Sequence, residues 1–173
     1  TADFGADLRR YRELTGEDTE DAHGNFRLRR DLSHALEFRA GVGAARKHEM
    51  RGDSDAPTNA AEPPVYNVLN ADAGITQTFA RFGVRADGGV RSYTYDDITT
   101  FSGEIRDQSF RDETVVTGSV VPFYQLEGRN RMFARFALSG RENEGTGDLN
   151  RDSQGLLARA GGDFELTPLI FVT

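Results

Sequence analysis

Residues 36–45 read LEFRAGVGAA, and this stretch decides the fold. Every second residue, beginning with Leu36 and Phe38, is apolar, whereas the positions between them carry Glu37, Arg39, glycine or alanine. Successive side chains in a β-strand point to opposite faces. The pattern therefore predicts a strand with one apolar face and one face that is polar or nearly bare.

The same two-residue alternation recurs along most of the chain. The segments that show it are 3–9, 25–29, 36–45, 69–79, 82–91, 116–125, 134–141 and 156–166. They predict about eight strands of ten or more residues, with a ninth beginning at Ile170. Ordinary strands have about 5–6 residues, whereas a tilted strand needs about 9–11 to cross a bilayer. Strand length therefore favours a membrane protein.

The connections between these segments alternate in length. Short connections cover residues 31–34, 80–82, 126–130 and 167–169, and long, charged ones cover roughly 12–18, 46–63, 96–112 and 142–152. Barrels in bacterial outer membranes have short periplasmic turns and longer extracellular loops. We therefore expect an all-β, antiparallel up-and-down transmembrane β-barrel in the bacterial outer membrane, with outer-membrane lipid as its surroundings.

Pro122 interrupts one of the predicted strands. Proline has no backbone N–H and removes one donor from the hydrogen-bond ladder of a sheet. We therefore expect a bulge or a local break at this position.

The composition excludes several other classes of protein. The 173 residues include 28% charged residues and no cysteine, so a disulfide scaffold and a cysteine metal site are excluded. No apolar run approaches the ~20 residues of a membrane helix. A net charge of −7 disfavours nucleic acid as a partner. A barrel wall needs apolar side chains at only every second position, so a hydrophilic average remains compatible with a membrane barrel.

A soluble antiparallel sheet with one face in a core would show the same alternation. Its apolar face would need bulky side chains to reach native packing density. Here that face is rich in alanine and glycine, which a lipid-facing wall tolerates because it has no such requirement. A soluble β-barrel binding protein, with its apolar residues inside, remains the alternative fold.

The polar positions of the predicted strands carry the candidate functional residues. If the apolar face meets lipid, the charged face lines the lumen, where charges must pair or contact water. The charged residues assigned to that pore-lining face are Arg27, Arg29, Glu37, Arg39, Asp72, Arg85, Asp87, Arg91, Arg135, Arg141, Arg159 and Asp163. Eight of these are arginines and four are acids, which favours anionic or sugar-acid solutes.

Two functions remain open for such a barrel. In a wide lumen, charged walls select among passing solutes, and the protein is a porin-like passive conduit for small hydrophilic solutes. In a narrow lumen the same charges form a closed network of salt bridges. The protein is then a structural or adhesive barrel whose function lies in its long loops.

Patterns that would indicate catalysis are weak. His23 and His34 lie in different predicted elements from His48, so the three need not converge. His48 with Ser54 resembles a hydrolase pair, but the sequence offers no third group to orient the histidine. The acids of the long loops lack the spacing of a twelve-residue calcium loop. We therefore expect no enzyme and no cofactor or metal.

Four loop and strand-end motifs resemble a known family. They are AAEPPVY at 60–66, RSYTYDD at 91–97, DQSFRDET at 107–114 and NRDSQG at 150–155. They resemble the beta-barrel porin 2 family of bacterial outer-membrane proteins, and the resemblance covers about residues 1–169. Some relatives occur with exopolysaccharide export systems, which implies a glycan conduit. Members are larger, so the resemblance implies that 1–173 is a single β-barrel segment, incomplete at both ends.

Overall fold

The computed structural model describes residues 1–13, 15–53, 56–128, 130–145, 149–167 and 170–172. Within them the chain consists largely of strands: Ala2–Arg9 (β1), Thr19–Ser33 (β2), Leu36–His48 (β3), Val65–Phe79 (β4), Phe82–Tyr95 (β5), Ile98–Thr99 (β6), Ile105–Arg106 (β7), Glu113–Gln125 (β8), Arg131–Asn143 (β9), Ser153–Thr167 (β10) and Ile170–Val172 (β11). Two 3₁₀ turns, Thr15–Glu17 and Ser109–Arg111, lie in loops. Among the described residues, no helix combines the length and the apolar character needed to cross a membrane.

Nine strands form one antiparallel sheet in the order β1-β2-β3-β4-β5-β8-β9-β10-β11. The small strands β6 and β7 pair with each other inside the loop between β5 and β8. Each strand of the large sheet therefore lies beside the strand that precedes or follows it in this up-and-down order, which confirms the predicted fold class. In the described part of the chain β1 and β11 are the two edges, and the sheet is open between them.

The long strands have the length that a membrane crossing requires. Seven of them, β2 to β5 and β8 to β10, contain 13 to 15 residues. With a rise of about 3.3 Å per residue and a tilt of about 45°, such strands span a hydrocarbon core of about 30 Å. The first strand, β1, has eight residues and is shorter than expected.

The pairing register gathers most of the large apolar side chains on one side of the sheet, which we call the apolar face. One row across five strands runs through Phe26, Val42, Ala71, Val90 and Val116. The large side chains in this row are exposed, with Val42 at 55%. No large side chain among the described residues is fully buried. The sheet therefore has no protein core of its own along this face.

Pro122 lies inside β8 without shifting the register. The pairs on either side of it, Val120 with Phe136 and Phe123 with Phe133, follow the same register. The two residues between them have no partner on β9, which fits the missing N–H of proline. Of the two expected alternatives, a bulge or a local break, the structure shows the local break.

The connection between β4 and β5 is a two-residue turn. Phe79 pairs with Phe82, so Ala80 and Arg81 form the turn by themselves. Ala80 has a φ of 51°, in the left-handed region where glycine is favoured because it lacks a Cβ. This hairpin turn therefore places a strained residue at the end of the sheet that carries the short connections.

Two long loops pack against each other at the opposite end of the sheet. We call residues 49–53, 56–64 and 96–112 the loop cluster. The backbone N–H of Ala61 donates to the carbonyl oxygen of Thr99 at 2.7 Å, joining the two loops. This bond pairs segments that are far apart in sequence, so the loops form one folded unit.

The loop cluster contains the buried apolar residues of the described chain. Ala60 is 0% exposed and Ile98 is 5% exposed. Arg51 joins a third loop to the same unit, since its guanidinium donates to the carbonyl oxygen of Ala60 at 2.8 Å and also contacts Glu17. The small apolar core therefore lies in the long loops, at the end of the sheet opposite the short turns.

Candidate functional site

The register places the charged candidates on the side of the sheet opposite the apolar face, which we call the polar face. Paired residues share a face, and steps of two residues along a strand return to it. Arg39 of β3 pairs with Arg29 of β2, and Arg135 of β9 pairs with Arg159 of β10. By the same rule the polar face holds Arg27, Arg29, Glu37, Arg39, Asp72, Arg85, Asp87, Arg91, Arg135, Arg141, Arg159 and Asp163.

Four of these residues form a chain of alternating charge nearer the short turns. Glu37 lies 2.7 Å from the Arg29 guanidinium and 3.2 Å from Arg39 Nε. Arg39 Nη2 lies 3.3 Å from an oxygen of Asp87 on β5 and donates to the Thr76 hydroxyl at 3.4 Å. The chain crosses from β2 to β5. These charges therefore neutralise one another.

Two further candidates pair with residues that the sequence reasoning did not assign. Asp163 accepts a hydrogen bond from Arg131 Nε at 2.9 Å, and Arg141 Nε lies 3.4 Å from Glu113. Arg131 and Glu113 are the first residues of β9 and β8. Each lies an even number of residues from the polar positions of its strand, and this spacing could have placed both on the polar face. These two ion pairs neutralise Asp163 and Arg141 of the polar face.

The remaining cations of the polar face have no such partner. Six of them make neither a hydrogen bond nor an ion pair through the side chain to any described residue: Arg27, Lys47, Arg85, Arg91, Arg135 and Arg159. Arg135 Nε is also shielded and unbonded. Among the acids of this face whose side chains are described, Asp72 alone makes no hydrogen bond or ion pair within the described residues. The unpaired charge of the polar face is therefore predominantly positive.

Three tyrosines lie on the polar face toward the long loops. Tyr66 pairs directly with Tyr95, and their rings stack with centroids 5.4 Å apart and an interplanar angle of 28°. The ring of Tyr93 lies 6.4 Å from that of Tyr66. The sequence reasoning missed this group, although Tyr93 and Tyr95 have the same parity in β5 as Arg91.

Two adjoining cavities open beside these tyrosines. The first has a volume of about 450 Å³, and its lining includes Tyr66, Tyr93, Asn70, Arg91, Lys47 and His23. The second, of about 340 Å³, shares Asn70, Arg91 and Tyr93 with the first and continues to Arg141 and Glu113. Together they form a groove across the sheet, which we call the tyrosine groove. It combines aromatic rings, side-chain amides and unpaired cations, and its second cavity also holds the acids Asp72 and Glu113.

A buried ion pair ties the loop cluster to the tyrosines. The guanidinium of Arg111 donates to both oxygens of Glu49, at 3.0 and 2.5 Å. The two residues are only 8% and 9% exposed. The Arg111 guanidinium carbon also lies 4.1 Å from the centroid of the Tyr95 ring, within the range of a cation–π contact. A bidentate ion pair therefore holds in place the loop residues that form the rim of the groove.

The histidines differ in their surroundings. His48, which the sequence places in a long loop, is the last residue of β3, and its Nδ1 lies 2.8 Å from an oxygen of Asp21. The sequence analysis therefore missed an orienting carboxylate, while Ser54, the other member of the suggested pair, lies outside the described residues. His23 Nε2 lies 3.0 Å from Asp3, on the polar face. His34 lies in the turn between β2 and β3, at the other end of β3 from His48.

The acids of the long loops hold backbone groups in place. Asp112 accepts a hydrogen bond from the backbone N–H of Tyr95 at 2.7 Å. Asp107 accepts one from the backbone N–H of Ser109 at 2.7 Å, and this bond lowers the pKa of Asp107 below its usual value. These carboxylates therefore shape the loops.

The family assignment agrees with this architecture. The family model described as Putative beta-barrel porin 2 matches residues 1–171. The chain matches no curated protein and no solved structure. An open polar face, an apolar face without a core and a match over nearly the whole chain lead to one conclusion. The chain belongs to the putative beta-barrel porin 2 family.

Proposed function

We propose that this chain forms the wall of a water-filled pore in the bacterial outer membrane. In this arrangement the apolar face meets lipid and the polar face lines the lumen, as in other outer-membrane barrels. Membership of a porin family supports a non-enzymatic channel and argues against the soluble binding protein. The pore is a passive conduit for small hydrophilic or glycan solutes.

The observation that carries the proposal is the set of unpaired cations. Six cations of the polar face have no ionic partner among the described residues: Arg27, Lys47, Arg85, Arg91, Arg135 and Arg159. An unpaired charge removed from water costs several kcal/mol, so a tightly plugged lumen would need a partner for each cation. A hydrated lumen satisfies them at no such cost.

The excess of unpaired cations also indicates the kind of solute. Rings of positive charge attract anions and repel cations in a pore. We therefore propose a preference for anionic solutes, including acidic glycans. Export of an exopolysaccharide, which the resemblance to the family suggested, is one process that such a pore would serve.

A second candidate rests on the loop cluster. Its buried ion pair and its small core give the long loops a fixed shape, as a binding surface would need. In this alternative the barrel is structural or adhesive, and its lumen is closed. The two candidates differ in whether the protein conducts.

Charge reversal in planar bilayers tests the proposal. The natural full-length protein carrying Arg85→Glu and Arg135→Glu should shift from anion toward cation selectivity, because charged walls reject ions of like sign. The shift should weaken as salt rises from 0.1 to 1 M, since the screening length falls from about 10 Å to about 3 Å.

The matched control reverses two charges away from the polar face. Arg30, on the apolar side of β2, and Arg81, in the short turn, change the net charge equally when both become Glu. This control should leave selectivity unchanged. A conducting barrel whose selectivity ignores Arg85 and Arg135 would remove them from the pathway, and a barrel that never conducts would leave the structural candidate.

A further inference from the structure

We propose that the tyrosine groove is a binding subsite for acidic sugars at the loop end of the polar face. This inference rests on the proposed pore, since it places the subsite on the pore wall. It adds a specific solute class and specific residues to that function. The juxtaposition of Tyr66 and Tyr93 with Lys47 and Arg91 carries it.

The aromatic rings supply a flat apolar surface. Tyr66 and Tyr93 line one cavity together with Val68, and the two rings lie 6.4 Å apart. An aromatic ring combines a broad apolar face with, in tyrosine, a polar tip. A pyranose has the complementary surface, with C–H groups on its faces and hydroxyls at its edges. A small inorganic anion gains nothing from such a surface.

The polar groups around the rings match the edges of a sugar. Asn70 and Asn25 contribute side-chain amides, which donate and accept hydrogen bonds and so suit hydroxyl groups. Lys47 and Arg91 contribute cations without partners among the described residues. Among the described residues that line this first cavity, none is acidic. The cavity therefore favours a sugar that carries a carboxylate.

The size of the groove fits more than one sugar unit. The first cavity, of about 450 Å³, lies within the range of about 300–1,000 Å³ that is usual for ligand pockets. The second adds about 340 Å³ and continues through the shared residues Asn70, Arg91 and Tyr93. Asp72 and Glu113 also line this second cavity, so the first cavity is the part that binds a carboxylate. We therefore expect a short oligosaccharide to bind better than a single unit.

The rim of the groove is held in place before any ligand arrives. Tyr66 stacks on Tyr95, and the Arg111 guanidinium lies 4.1 Å from the Tyr95 ring centroid while pairing with Glu49. A side chain that is already fixed loses less conformational freedom on binding. The buried pair therefore contributes to the subsite by positioning, without touching the sugar.

Calorimetric titration of the natural full-length protein in detergent tests the subsite. Trigalacturonate is the acidic probe, and maltotriose is the neutral probe with the same number of rings. We expect trigalacturonate to bind at least tenfold more tightly than maltotriose. Tyr93→Ala should weaken trigalacturonate binding at least tenfold, Tyr93→Phe should largely preserve it, and Arg91→Gln should reduce the preference for the acidic probe.

The controls separate this inference from other readings. Tyr124→Ala removes a tyrosine from the apolar face and should leave binding unchanged. Citrate, a carboxylate without a sugar ring, should compete weakly. Equal binding of both trisaccharides, citrate binding as tight as that of trigalacturonate, or normal binding by Tyr93→Ala would each overturn the inference.

The two proposals fail in distinguishable ways. Binding in detergent requires no conduction, so a barrel that binds trigalacturonate but never conducts would overturn the pore and leave the subsite. A selective, conducting barrel that ignores both trisaccharides would overturn the subsite and leave the pore.

Discussion

The sheet and the loop cluster are stabilised in different ways. The sheet contains 13- to 15-residue strands and exposes large side chains such as Val42 and Leu156, at 55% and 78%. The loop cluster is short and irregular, yet it buries Ala60 and Ile98. The sheet is held together by hydrogen-bond ladders and, in the proposed pore, by the lipid around its apolar face, whereas the loops have an internal core. Substitutions should therefore act differently in the two regions.

The largest effect is expected in the loop cluster. Arg111→Ala leaves Glu49 as a buried charge without its partner, which should cost about 3–5 kcal/mol of local stability. Hydrogen exchange should speed up at the amide of Ala61, which bonds across the two loops. Amides at the centre of β3 should keep their protection.

A double variant serves as the control for that substitution. Glu49→Leu with Arg111→Met replaces both charges by apolar groups, and such replacements are often close to neutral. Exchange at Ala61 should then return near its original rate. Unchanged exchange in the single variant would mean that the ion pair does not hold the loops together.

The next effect concerns the apolar face. Val42→Arg places a charge near the middle of β3 and should cost about 2–4 kcal/mol in a bilayer. Val84→Arg, at the third residue of β5, should cost less because it lies closer to the membrane interface. Urea unfolding in lipid vesicles measures both.

Thr117 provides the matched position on the polar face of β8. Thr117→Arg should change stability by no more than about 0.5 kcal/mol, since the new charge stays in water. A cost for Thr117→Arg equal to that of Val42→Arg would show that the two faces do not differ in their surroundings.

A smaller loss of stability should distinguish the packed loop cluster from the apolar face of the sheet when an alanine is enlarged to leucine. Ala60→Leu overfills a site that is 0% exposed and should cost about 1–3 kcal/mol. Ala73→Leu adds the same atoms to the exposed apolar face, where lipid adapts to them, and should be nearly neutral. Hydrogen exchange for the loops and urea unfolding for the sheet report the two results. Equal costs would contradict the contrast between the regions.

The smallest effect is expected at the turn between β4 and β5. Ala80→Gly removes the Cβ from a residue with a φ of 51° and should stabilise the protein by about 1 kcal/mol. The midpoint of urea unfolding should rise, whereas Ala86→Gly, inside β5, should lower it. A fall for Ala80→Gly would show that the turn stores no strain.

The faces of the sheet could be predicted because strand periodicity is a local property. Once Leu36 and Phe38 are assigned to one side, Arg39 must lie on the other, and the register extends that rule across neighbouring strands. The short turns mark where each strand reverses. The number of strands in the large sheet and the alternation of loop lengths followed from the same signals, whereas the short strands β6 and β7 inside a loop were not predicted.

The loop cluster could not be predicted in this way. Glu49 and Arg111 are 62 positions apart, and neither belongs to a periodic segment that would fix its direction. The tyrosine groove was missed for two other reasons. The predicted segments 69–79 and 82–91 stop short of Tyr66 and Tyr93, which belong to the longer strands β4 and β5, and the polar face was sorted by charge alone. A parity test that included aromatic residues and followed the alternation to the true strand ends would have found them.

The order of the strands has a consequence for how the circumference of such a protein can change. Since every strand of the large sheet pairs with its neighbours in the up-and-down order, a hairpin can be duplicated or lost without rethreading the chain. Each duplication widens the wall by two strand spacings, about 9–10 Å. Rows of paired side chains on both faces would continue through the insertion. Gene duplication can thus adjust the bore in steps of two strands, while the existing hairpins keep their register.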